Sequence, residues 1–96
     1  MSRTRISVEA ERDLDGIAEY TKATWGWRQA ERYLTKLEEG IELLGSHPTI
    51  GRNCGAIRTG LRRFEVGSHV VFYFVDADGI LVLRVLHQQM LPAKNV

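Results

Sequence analysis

An α+β fold, ordered as a short N-terminal strand, a helical hairpin and a three-stranded antiparallel meander, is what this 96-residue sequence predicts. Three features carry that expectation. Residues 61–87 are crowded with β-branched and aromatic side chains and interrupted by turn residues, the pattern of consecutive strands. Ahead of them lie two stretches with apolar residues at helical spacing, each fit to lay one face on a core. Little more than Gly26 separates the two, so they must fold back on each other.

Taken in order, Arg3 to Val8 alternates, with Thr4, Ile6 and Val8 on one side, which suits a short strand added to the meander. At Ser7 or Val8 the chain turns helical, and Glu9, Glu11, Asp13 and Asp15 follow, where negative charge favours the positive end of the helix dipole. The apolar side of this helix runs through Ala10, Leu14, Ile17, Ala18, Thr21 and Trp25, and Gly26 ends it. The second helix carries a cleaner stripe, Ala30, Tyr33, Leu34, Leu37, Ile41 and Leu44. Gly40 weakens it by about 1 kcal/mol against Ala, and Gly45 with His47-Pro48 closes it. Thr49 to Gly60 lacks periodicity and contains Gly51, Gly55 and Gly60, so it is a loop feeding the sheet.

The strands are expected at Arg62–Val66, His69–Val75 and Ile80–His87, turned by Gly67-Ser68 and by Asp76 to Gly79. In the middle strand Val70, Phe72 and Phe74 share one face and His69, Val71, Tyr73 and Val75 the other. Neither face is plainly polar, so the strand is central and covered on both sides. Unbroken alternation in the last strand groups Arg84 with Ile80, Val82 and Leu86, and Leu81 with Leu83, Val85 and His87. A charge among such neighbours requires a partner or a route to water. The tail from Gln88 to Val96 is polar, contains Pro92 and is expected to fray.

The length fits a single domain, residues 1–96, with a modest core. Net charge is +1, yet residues 1–48 carry seven Lys/Arg against nine Asp/Glu and residues 49–96 carry six against three. The basic C-terminal half favours an acidic partner. Cys54 is the single cysteine, which excludes an internal disulfide and suits a reducing compartment. Without an apolar signal core or a run near the ~20 residues of a membrane span, the expectation is a cytoplasmic protein with no membrane association.

No metal or cofactor is expected, because His47, His69, His87 and Cys54 are scattered and lack the short ligand spacings of a zinc or iron site. P-loop, dinucleotide and nucleophile motifs are absent from the sequence as well. What remains is a basic set, Arg52, Arg58, Arg62, Arg63 and Arg84, with His69, His87 and Tyr73 near it in sequence. Two uses are open. The arginines can converge on a phosphate with a histidine as acid or base and cleave RNA, or pair with carboxylates and solvate the sheet edge. Trp25, Trp27 and Tyr33 are suited either to stacking on bases or to closing a small core.

Five motifs stand in order along nearly the whole chain: W-G-x-x-Q-A-x-x-Y (Trp25, Gly26, Gln29, Ala30, Tyr33), P-x-x-G-R (Pro48, Gly51, Arg52), I-R-x-G-L-R-R-F (Ile57 to Phe64), H-V-V-F-Y (His69 to Tyr73) and R-V-L-H-x-x-M (Arg84 to Met90). From about Arg3 to Met90 the sequence resembles a ParE toxin of the RelE/ParE superfamily. The resemblance implies the toxin of a type II toxin-antitoxin pair, held as a hetero-oligomer by a ParD-like antitoxin and, when free, poisoning DNA gyrase without enzymatic chemistry or sequence-specific DNA binding. The alternatives it carries are a RelE-type ribosome-dependent mRNA endoribonuclease and an inactive toxin that acts only as antitoxin partner and co-repressor.

Individual positions discriminate between these. RelE-like nucleases commonly place an Arg where His69 stands and another directly after the position of His87, followed by a Tyr. This chain continues with Gln88, Gln89, Met90, Leu91 and Pro92. A nuclease would have to rely on His69, Arg84 and His87. A gyrase poison has no catalytic residues, and its candidates for binding target or antitoxin are Arg52, Arg58, Arg62 and Arg63. Leu91 also departs from the ParE pattern, which often has Asp there.

Overall fold

The computed structural model describes residues 3–90; the Leu91 departure and most of the expected frayed tail lie outside them. Its elements are β1 (Thr4–Ile6), α1 (Val8–Trp25), α2 (Trp27–Ser46), β2 (Arg52–Asn53), β3 (Arg62–Val66), β4 (His69–Asp76) and β5 (Gly79–His87). The sheet order is β1-β5-β4-β3-β2, with β1 parallel to β5 and the other pairings antiparallel. The meander is therefore the centre of a five-stranded mixed sheet. Sequence periodicity missed β2, because two residues paired to Arg63 and Arg62 are too short to show any.

Both helix boundaries follow local chemistry. The Ser7 hydroxyl accepts from the Ala10 N–H at 3.0 Å and so caps α1. Gly26, at φ 90°, ends it and lets α2 start one residue later. The stripe on α2 packs as its spacing requires, with Ala30, Leu37, Ile41 and Leu44 buried. Trp25 departs from the expected α1 stripe and is 70% exposed. At the last turn it lines a cleft together with Gln29 and Tyr33 of α2 and with His69 and His87 of the sheet, and it joins neither core cluster.

The alternation expected for β4 holds. Val71 and Tyr73 join Leu37, Ile41 and Leu44 in the cluster beneath the hairpin, while Val70 and Phe72 join Cys54, Leu61 and Leu86 beneath the loop before β3. The loop is held there by the Cys54 N–H donating to Leu61 O at 2.7 Å and by Tyr73. The Tyr73 hydroxyl accepts from the Gly51 N–H at 3.0 Å and donates to Pro48 O at 2.7 Å. Gly40 is more than a weak point in α2: a Cβ there would meet Val66 Cγ2 at 2.7 Å, so its absence lets helix and β3 approach closely.

The grouping expected for β5 fails. Phe72 pairs with Arg84 but Tyr73 pairs with Val82, which leaves Leu83 as the extra residue of a bulge. Beyond it the parity reverses: Val82 and Val85 both enter the cluster under the helices, and Leu83 packs with Leu86 in the other. Arg84 meets Asp13 of α1, with Nε–Oδ2 at 2.7 Å and Nη2–Oδ1 at 2.9 Å. Asp13 Oδ2 also accepts the Val85 N–H at 2.9 Å.

This fork is mostly shielded, the side chains of Arg84 and Asp13 being 25% and 13% exposed. Breaking a fully buried pair costs about 3–5 kcal/mol because one charge is left unpaired. With some water access, Arg84→Ala and Asp13→Ala are each expected to lower unfolding stability by about 2 kcal/mol. In urea unfolding the double variant should lose less than the sum of the two. An unchanged midpoint for Arg84→Ala would show the pair to be dispensable.

Candidate functional site

The two histidines, eighteen residues apart in sequence, are brought face to face because His69 opens β4 and His87 closes β5, and the two are register partners. Their rings stand edge to face with centroids 5.4 Å apart. Tyr33 of α2 reaches them: its hydroxyl lies 2.6 Å from His69 Nδ1 and accepts the Ser68 N–H at 2.9 Å. That close approach needs Gly67, where a Cβ would meet Tyr33 Cε1 at 2.8 Å. Burial, and then the neighbouring His87, push the His69 imidazole below its ordinary value.

A cleft of about 320 Å³ opens between the hairpin tip and this end of the sheet, lined by Tyr20, Trp25, Gln29, Tyr33, His69 and His87 among others. A second of about 340 Å³ adjoins it and shares Tyr20, His69 and His87, with Ile17, Val85, Leu86 and Met90 giving it an apolar wall. Among the described residues neither lining includes an Arg or a Lys. Tyr20 was not singled out in the sequence, and Gln29 only as a member of the first motif. Tyr20 is 70% exposed, and its position one helical turn before the stretch that contains Trp25 was the available signal.

The arginines are elsewhere and mostly engaged. Arg52 pairs with Glu65, and Arg63 lies 3.6 Å from the same carboxylate. Arg62 donates to Gly51 O at 2.7 Å and Thr49 O at 3.3 Å. Arg58 stacks over Phe74 at 5.3 Å, and Arg63 over Phe72 at 5.8 Å. Of the set His69, Arg84 and His87, the structure joins the imidazoles but leaves Arg84 on Asp13. Tyr73 is fully buried, burial raises its phenol above the ordinary value, and its hydroxyl is committed to Gly51 and Pro48. Among the described residues no three His, Cys, Asp or Glu gather to hold a metal ion, and no helix is long and apolar enough to cross a membrane. Chemically, the cleft offers two imidazoles but, among the described residues, no fixed cation to neutralise a phosphate.

Comparison with known proteins agrees with this architecture. The family model described as "ParE toxin of type II toxin-antitoxin system, parDE" matches residues 4–92. Toxin ParE1 of Mycobacterium tuberculosis is 42% identical over 96 residues, covering 99% of this chain and 98% of that protein. The structure of a chromosomal ParDE toxin-antitoxin system from P. aeruginosa superposes with a TM-score of 0.78 at 20% identity, over 91% of this chain and 96% of that one. The toxin-antitoxin complex RelBE2 from Mycobacterium tuberculosis gives 0.68 at 21% identity, over 91% and 98%. At such identities the two superpositions speak for the fold.

The depressed His69 value has a consequence for stability. The unfolded chain takes up a proton near 6.5, whereas the folded chain does so only at lower pH. Between these values the unfolded state holds more protons, so stability is full above 6.5 and falls as pH drops through that window. Urea unfolding between about pH 7.5 and 5 should show this decline, and His69→Gln should flatten it. A decline equally steep in the variant would assign it to other groups.

Proposed function

Because this chain belongs to the ParE toxin family of type II toxin-antitoxin systems, we propose that it poisons DNA gyrase when free and is silenced by a ParD-like antitoxin. The observation that carries the reading is that, among the described residues, no Arg or Lys lines the histidine cleft. A nuclease needs a cationic clamp beside its acid and base to stabilise the charge developing on the scissile phosphate. Here the nearby Arg84 is held by Asp13. A poison needs only a complementary surface that holds a protein-DNA intermediate, so the reading requires no enzymatic group.

For the antitoxin, the outer side of the hairpin supplies a groove. Ala18, Ala30 and Leu34 floor a depression of about 400 Å³ beside Trp27, which is 60% exposed. An amphipathic segment can fold into such a groove with its apolar side down. The basic loop and strand carrying Arg52, Arg58, Arg62 and Arg63 would then face acidic residues of the antitoxin, giving a cytoplasmic hetero-oligomer.

In an ATP-containing assay, purified toxin is expected to stabilise gyrase-cleaved plasmid and to leave ribosome-bound messenger intact. Messenger cleavage without trapped gyrase would replace this reading with the ribonuclease one, and neither effect would indicate an inactive toxin. Arg58 is exposed and, among the described residues, forms no ion pair. Arg58→Glu should therefore weaken antitoxin binding about tenfold while leaving the thermal midpoint nearly unchanged. Unaltered affinity would remove this edge from the interface.

A further inference from the structure

The two helices carry their charge in opposite senses. In α1 the acids Glu9 and Glu11 stand in the first turn and Lys22 in the last, the order that the helix dipole favours. In α2 the order is reversed. Residues 27–36 hold Arg28, Arg32 and Lys36 against Glu31, while residues 37–46 hold Glu38, Glu39 and Glu42 and no cation. The basic half thus lies toward the positive end of the dipole and the acidic half toward the negative end, an order that opposes the dipole of a single helix. Two such helices laid side by side and antiparallel offset it, since each basic half then meets an acidic one.

The charges share one face. Arg28, Arg32, Thr35, Glu39 and Glu42 recur at intervals of four, three, four and three residues, and all are exposed. That spacing forms a single stripe, and it runs opposite the buried Ala30, Leu37, Ile41 and Leu44. At the helical rise, Arg32 and Glu39 stand about 5 Å, and Arg28 and Glu42 about 10 Å, on either side of Thr35. The stripe is therefore complementary to itself when turned about Thr35. Its basic half, with Trp27 and Glu31, lines a depression of about 390 Å³. Among the described residues Arg28, Arg32 and Glu39 form no ion pair.

We propose that this outer face of α2 docks a second copy of the same chain, the two α2 helices antiparallel about a two-fold axis at Thr35, with Arg32 of each copy facing Glu39 of the other and Arg28 facing Glu42. Charge complementarity selects the occupant: each match occurs twice by symmetry, whereas a nucleic acid drawn to the basic half is repelled by the acidic one. The short side chain of Thr35 at the axis lets the helices approach to the usual 8–10 Å or so. Exposed charge pairs bind weakly and are screened by salt, so the dimer is loose and salt-dependent. Arg28, Arg32, Thr35 and Glu39 take no part in the groove assigned above to the antitoxin. The inference goes beyond the gyrase and antitoxin readings and depends on neither.

Sedimentation velocity of the full chain over a range of protein concentrations reads the association directly. A dimer is expected in about 20 mM salt, with a dissociation constant at least about tenfold weaker in about 500 mM salt. Arg32→Glu alone and Glu39→Arg alone each set like charges opposite one another and should weaken the dimer at least about tenfold. The double variant R32E/E39R restores the match and should restore the dimer. Both positions are exposed, so the thermal midpoint should stay close to that of the unmodified chain. A chain that is monomeric throughout at low salt overturns the proposal, as does a dimer that salt or the single variants leave unchanged, or that the double variant fails to recover. Thr35→Cys should cross-link to its own copy on oxidation more readily than Glu11→Cys, an exposed position on α1; equal cross-linking places the contact elsewhere and overturns it. A monomeric chain whose antitoxin binding is lost with Arg32→Glu gives the stripe to the antitoxin instead.

Discussion

Beyond Val82, the outer edge of β5 has no strand beside it among the described residues, because β1 pairs with Ile80, Leu81 and Val82. Exposed or buried, that edge must place its backbone groups somewhere, and α1 takes them. The Ser7 N–H donates to Val82 O at 2.9 Å, the Ser7 hydroxyl donates to Leu83 O at 2.7 Å, and Asp13 accepts the Val85 N–H. The first half of α1 thus continues the sheet edge with side chains, and the Arg84 fork fixes its register. The bulge at Leu83 belongs to the same device, since it turns both Val82 and Val85 into the core beneath the helix.

The histidine cleft inherits its shape from this anchoring. His87 lies near the end of β5, and its separation from Tyr33 depends on how the hairpin is seated. One hydroxyl, that of Tyr33, joins α2 to β4 through His69 and to the turn before it through Ser68. Packing in the helix-side cluster sets the distance at which the Tyr33 hydroxyl meets His69 Nδ1. The chemistry of the cleft is in this sense a consequence of the core.

Charge on the opposite edge is less available than its arginine count suggests. Glu65 serves Arg52 and Arg63, and backbone carbonyls hold Arg62. Exposed ion pairs of this kind contribute only about 0–1 kcal/mol to stability. Their larger effect is to keep long side chains ordered on a surface that a partner meets without first having to organise it.

The sequence by itself determined whatever depends on near neighbours. Period-two and helical-period stretches, the helix start at Ser7 or Val8, its stop at Gly26 and the two tight turns were legible because each follows from side chains a few residues apart. The five motifs also made the family legible. Tertiary structure alone decided the partner of Arg84, which lies 71 residues away in the chain, the two-residue β2, the exposure of Trp25 and the meeting of the imidazoles with Tyr33. These depend on strand register and helix seating. One extra residue in β5 was enough to reverse every face beyond it, and no local pattern in the sequence announces which residue a sheet will leave unpaired.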